Sequence, residues 1–341
     1  MSLPEARGLF IRYKSFLCLS LAALIGLGLI RYNSEGVESK SALIAGGKYQ
    51  KKKKTEGKSD RSSISSSGRI FQGGVFEASG VVAVPGTDGV LFIDDGRADE
   101  VLWMRIDQDG NQVGEIKPIK IGANVVDPEG ITFDGSWFYV VGSQSVIRGQ
   151  EPNALVRFIF DPETQRVAEV ESLRTLYEFL TGEVPELKEY AGKKGLKGTI
   201  NIEGLAWDPV QERLLLGLRD PLISGQALIV PLHWQDPNER QSLENLALAQ
   251  PNAIRLSLGG DAIRSIEYDY SLNVFQIISG SPEVKKKSDF KLWEWDGRTS
   301  PREKAVLDSR MKPEGVTRVS IDGNNFLFFV CDASGYFRLN E

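Results

Sequence analysis

Glutamate and arginine recur in this chain at one place in a repeated segment. The segments are Glu77-Ala-Ser-Gly80-VVAV, Asp127-Pro-Glu129-Gly130-ITF, Asn201-Ile-Glu203-Gly204-LAW, Ala262-Ile-Arg264-Ser265-IEY and Lys312-Pro-Glu314-Gly315-VTRV. Glu77, Glu129, Glu203 and Glu314 offer oxygens to a hard cation, of which calcium fits best, or to a proton in transfer. Arg264, and Arg219 from the run RLLLGLRD, offer donors to an anion. Other chemistries are excluded by count. The chain has one histidine, His233, so no multi-histidine metal site can form. Two cysteines, Cys18 and Cys331, make neither a zinc finger nor a disulfide framework. His233 and Cys331 lie in strand-like runs, where a satisfied histidine and a buried thiol are the simpler readings. No Walker loop, zinc motif or nucleophile elbow is present.

The positions 80, 130, 204, 265 and 315 give the repeat its period, with extra length in two units. After each opening comes a second apolar run: LFIDDG, WFYVVGSQS, RLLLGLRD, VFQIISGS and FLFFVCDAS. A third run follows, and a fourth is visible in most units. Four short strands per unit predict an all-β fold, a β-propeller of five blades with six as the alternative. RIFQGGV (69–75) precedes the first unit, and the last unit stops after its third strand. The early segment is therefore expected to supply the missing outer strand and close the ring. VESLRTLYEFL (170–180) places Leu173, Leu176, Tyr177 and Leu180 at helical spacing within an insertion.

Antiparallel neighbours put first-strand starts and second-strand ends on one face. That face gathers Glu77, Glu129, Glu203, Arg264 and Glu314 around a channel mouth. Asp94, Asp95, Ser143, Gln144, Arg219, Asp220 and Asp332 join them. Two carboxylates ~7 Å apart repel by on the order of 2.4 kcal/mol at an effective dielectric of 20. A cation, an arginine or a proton must offset the ring. Arg264 and Arg219 compensate about half of its charge. In a second reading the same residues are structural, the glutamates tying blades together and the arginines forming ion pairs.

Charge divides the chain. Residues 1–68 hold 12 Lys+Arg and 5 Asp+Glu; residues 69–341 hold 29 and 41; the total is -5. Such a balance argues against nucleic acid as a partner. Residues 15–30, SFLCLSLAALIGLGLI, carry no charge and lie between Lys14 and Arg31. As a helix they cover roughly 24 Å, enough for a transmembrane anchor with snorkelling flanks, or for a signal segment. Residues 1–14 form its flank, and 31–68 read as a basic Ser/Lys-rich disordered linker. The expectation is a membrane-anchored, extracytoplasmic propeller over 69–341.

GVLFIDDG, DPEGITFDGSWFYVVGSQS, NIEGLAWDP with GLRDPL, AIRSIEYD and PEGVT, in that order, resemble the bacterial family called domain of unknown function 3616. The resemblance runs over about residues 70–335 and implies a propeller, akin in its E-G openings to phytase-like and lactonase-like propellers. It brings no activity with it. In the family's pattern the second unit has His where Gln144 stands, which removes proton transfer from that position here. Three functions stay open. The first is binding of a small anionic ligand, with a calcium site at the acidic mouth. The second is metal-assisted hydrolysis of an anionic phosphoester or lactone. The third is a non-catalytic scaffold for a protein partner.

Overall fold

The computed structural model describes residues 68–145, 154–194, 196, 199–236, 240, 242–283 and 289–340. The flank expected over 1–14, the anchor over 15–30 and all but the last residue of the linker over 31–68 lie outside these. Among the described residues no helix is long and apolar enough to cross a membrane.

Apolar residues at strand spacing, cut by Gly, Asp and Asn turns, give twenty-one strands in five sheets among the described residues. Blade 1 is β2 (Ala78–Ala83), β3 (Gly89–Asp94), β4 (Glu100–Ile106) and β5 (Gln112–Lys120). Blade 2 is β6 (Pro128–Phe133), β7 (Phe138–Gly142), β8 (Leu155–Asp161) and β9 (Arg166–Leu173). Blade 3 is β10 (Asn201–Asp208), β11 (Arg213–Asp220) and β12 (Ala227–Trp234), edged by β13 (Leu246–Leu248) and β14 (Ile254–Leu256). Blade 4 is β15 (Ala262–Asp269), β16 (Val274–Gly280), β17 (Phe290–Trp295) and β18 (Arg302–Leu307). Blade 5 is β19 (Pro313–Ile321), β20 (Asn324–Cys331) and β21 (Gly335–Asn340). Its fourth strand is β1, Arg69–Ile70, antiparallel to β21. Five blades are observed, and the ring closes as the sequence predicts.

Each blade is apolar on both faces of its inner strands, because it packs against a neighbour on each side. Five buried clusters result, one in each gap between adjacent blades. The gap between blades 5 and 1 holds Phe71, stacked 5.1 Å from Phe92 and 5.2 Å from Tyr336. The outer strands β5, β9 and β18 are mostly exposed and rich in Lys, Arg and Glu, which discourages pairing with another sheet.

The first insertion differs slightly from expectation. Leu173 ends β9, and the helix α1 spans Leu176–Glu183, followed by a 3-10 turn over Pro185–Tyr190. Leu176, Tyr177 and Leu180 then face the cluster between blades 2 and 3. The second insertion packs a short turn, Leu243–Asn245, and adds β13. His233 sits in β12, as read from the sequence. Cys331 ends β20 fully buried, with burial pushing its thiol well up.

Candidate functional site: the inner-strand ring

Every inner strand loses register with its partner at the repeated position. Glu129 lies between the matched pairs Pro128–Gly142 and Gly130–Val141. Glu203, Arg264 and Glu314 occupy the same unmatched position in blades 3, 4 and 5. Each is the extra residue of a β-bulge, a device that re-aims a side chain. The glycine that follows has a steric cause. A Cβ on Gly130 would stand 2.6 Å from the Leu205 Cβ of the next blade, and one on Gly315 would stand 2.6 Å from the Ser79 carbonyl. Only glycine lets inner strands approach that closely around the axis.

Blade 1 departs from the others. Its unmatched residues are Ser79 and Gly80, so Ser79 takes the ring position. Glu77 is exposed and stands two residues earlier, in register with Asp127, Asn201 and Lys312 of the other repeats. The ring is thus Ser79, Glu129, Glu203, Arg264 and Glu314. Glu77 belongs to an outer layer, where carbonyls close the blade tops. The Asp95, Ser143 and Asp332 amides donate to the carbonyls of Glu77, Asp127 and Lys312, at 3.2, 2.9 and 3.1 Å.

Arg264 is the hub. Its Nε lies 2.8 Å from Glu314 Oε2 and 3.0 Å from Glu203 Oε2, and its Nη2 donates to Glu314 Oε1. The Glu203 Oε2 contact is an ion pair with poor hydrogen-bond direction. Arg219 Nη1 donates to Glu203 Oε1 at 2.7 Å, and Asn201 Nδ2 to the same oxygen at 3.1 Å. Burial works against the Arg264 charge, but Glu203 and Glu314 outweigh it and hold the guanidinium above its ordinary range. Burial lifts Glu314 to about 7 although Arg264 pulls it down.

Glu129 stands apart. It makes no hydrogen bond or ion pair among the described residues. Protein crowds it on most sides while part of the side chain still meets solvent. Burial, then Glu203, Asp127 and Glu314, push its carboxyl well above the usual range. The ring's charge is therefore offset by arginine at Glu203 and Glu314, while at Glu129 burial and like charge favour the protonated form.

The second-strand ends complete the mouth. Asp94 is tied to the Glu77 and Gly96 amides and to Arg97. Asp95, beside Glu77, is pushed up to about 7 by burial and by that neighbour. Asp220 is raised by burial. Lys312 and Asp332 pair at 2.6 Å. Gln144 is wholly buried. Its Nε2 donates to the Gly142 carbonyl at 3.0 Å.

One layer deeper, Glu267 of blade 4 accepts from the Thr132 hydroxyl of blade 2 at 3.2 Å. These blades are not adjacent, so the contact crosses the axis. Burial raises Glu267 well above the usual carboxylate range. Sequence reasoning missed Glu267 and Asn201. Both carried a signal, a polar residue at a fixed offset from the repeat's small residue in an otherwise apolar strand.

The arrangement can bind polar groups and move a proton. It fits calcium poorly. Among the described residues no three His, Cys, Asp or Glu side chains come together to hold a metal ion, and Glu203 and Glu314 already face arginine.

No curated protein matches the chain in sequence. Similar solved structures include glutaminyl cyclase from Myxococcus xanthus, at 12% identity and TM-score 0.41 over 80% of this chain and 94% of that one. Another is the soluble aldose sugar dehydrogenase of Escherichia coli, at 11% and 0.43 over 80% and 99%. A third is the PQQ domain of pyranose dehydrogenase from Coprinopsis cinerea, at 10% and 0.44 over 81% and 97%. Likenesses this distant carry no argument about chemistry. Residues 163–324 match the model of the family described as protein of unknown function DUF3616, a stretch that includes Glu203, Arg219, Arg264 and Glu314 but neither Glu77 nor Glu129.

Proposed function

We propose that this propeller binds a small polar molecule at the ring mouth, with Glu129 exchanging a proton with it. One observation carries the reading. Glu129 is the ring carboxylate with no ion pair among the described residues, placed beside two others that arginine holds. A structural ring would have little reason to leave one half-buried carboxyl unpaired, since even partial desolvation of such a group is costly. Proton transfer needs a carboxyl raised toward neutrality, which burial and like charge supply here.

The test is retention of small molecules by the full-length chain, measured by titration calorimetry against a mixed metabolite library, with Glu129→Gln alongside. Binding that weakens tenfold or more in a normally folded variant supports the reading. Equal binding by both proteins, or no binding of any compound, overturns it. A protein partner retained equally by both would favour the scaffold instead. Metal-assisted hydrolysis gains no support from the arrangement, since the metal ligand set is lacking among the described residues. Tethering to a membrane through residues 15–30 is part of the proposal and rests on the uncharged run alone. Membrane fractionation of the full chain and of a chain lacking residues 1–67 tests it.

A further inference from the structure

The polar atoms around Glu203 and Gln144 specify more than polarity. Asn201 Nδ2 faces the Glu203 carboxylate, so the amide cannot be reversed, and its Oδ1 is buried without a protein partner. Gln144 repeats the pattern. Its Nε2 faces the Gly142 carbonyl, so Oε1 must point away, and this oxygen also has no partner among the described residues, in a wholly buried side chain. Arg219 spends Nη1 on Glu203 and leaves its buried Nε without one. The segments adjoin, since the Ile202 amide donates to the Ser143 carbonyl at 2.8 Å. Two acceptors and one donor, all with forced orientation, thus lie beside the ring.

A carboxylate brings acceptors only and would leave both amide oxygens unmet. A phosphate carries O–H donors near neutral pH but, like a carboxylate, adds negative charge beside Glu203 and Glu314. An ammonium brings donors only and leaves Arg219 Nε unmet. A hydroxyl group both donates and accepts, and several on one frame meet all three atoms. The arginines that suggest an anion in the sequence are occupied by Glu203 and Glu314. We infer that the ligand is an uncharged polyhydroxylated compound, gripped through Gln144, Asn201 and Arg219 at the boundary of blades 2 and 3. This rests on the proposed binding function and narrows its ligand class.

The experiment titrates the full-length chain with myo-inositol, glucose and erythritol, with inorganic phosphate and acetate, and with ethylamine, following melting temperature. Only the polyhydroxylated compounds are expected to raise it. Gln144→Met, of similar length, should weaken their binding about tenfold, the loss of one good hydrogen bond. Its unliganded melting temperature should stay near the wild-type value, because an unmet buried acceptor is removed. If Gln144→Met fails to fold, Asn201→Leu is read in its place. Shifts by phosphate, acetate or ethylamine alone overturn the inference and leave the binding function standing. So do shifts by the polyhydroxylated compounds that are unchanged in the variant, which mark binding elsewhere. No shift by any of the six overturns the inference, while the library titration decides the parent reading separately.

Discussion

Glu129, Glu203 and Glu314 share a residue type and a backbone setting yet differ in chemistry. The difference lies in what reaches them. Arg264 spans Glu203 and Glu314, while Glu129 forms no ion pair with it and lies nearest in effect to Glu203, Asp127 and Glu314. Arg264→Gln should therefore be severe, because it leaves two buried carboxylates facing each other. A loss of about 3–5 kcal/mol is expected in denaturant titration, as for a broken buried ion pair. Asp95 gives a test of sign. It is pushed up to about 7 in the folded chain against an ordinary 3.8. Below that ordinary value both folded and unfolded chains hold the proton, and Asp95 contributes nothing. Between the two values the unfolded chain releases it first, so stability falls as pH rises. Asp95→Asn should melt like the wild type near pH ~4 and be more stable at pH ~8, by about 1–2 kcal/mol after discounting for partial exposure and for its coupling to Glu77. An unchanged pH profile would show that Asp95 ionises normally.

At the scale of elements, two features hold the ring. The first is the close approach of inner strands at Gly130, where a Cβ would stand 2.6 Å from Leu205 Cβ and 2.9 Å from its amide nitrogen. Gly130→Ala should lower stability by about 1–3 kcal/mol, since backbone must shift to admit the methyl group. A variant as stable as the wild type would mean that the blades are looser than drawn. The second is the closure of blade 5 by β1. Only two residues pair, so backbone bonding is slight, and Phe71 provides most of the grip through Phe92 and Tyr336. Phe71→Ala should remove about 3–5 kcal/mol in denaturant titration. Ile70, which is exposed, should tolerate alanine within about 0.5 kcal/mol.

At the scale of the whole molecule, five wedge-like sheets face inward and bring side chains from distant repeats to one axis. Electrostatics there is a collective matter. Two arginines face two glutamates, while burial and like charge raise the third above its ordinary range. Millimolar calcium, and then a chelator, should leave the melting temperature of the full chain unchanged. A rise with calcium would show a ligand set that the described residues do not form.

Much of this was legible in the residues. The repeat at positions 80, 130, 204, 265 and 315 and the alternation within each unit set the strands and their number. Strand structure is local, and hydrophobic period records it. The missing last strand, and RIFQGGV before the first unit, set the closure for the same reason. Glu77 was misplaced by two residues because four units carry the ring charge directly before the small residue and blade 1 puts Ser79 there. Nothing in the sequence separates Glu129 from Glu203. Which glutamate pairs with Arg264, and which is left unpaired and raised, depends on distances between residues 50 or more positions apart. Glu267 and Thr132, 135 positions apart, meet only because their blades lie across the axis. The sequence by itself determined the blades, since strand pattern follows from neighbours along the chain. The tertiary structure alone decided the pairing of charges and the carboxyl left without a partner, since electrostatic balance is set by proximity in space.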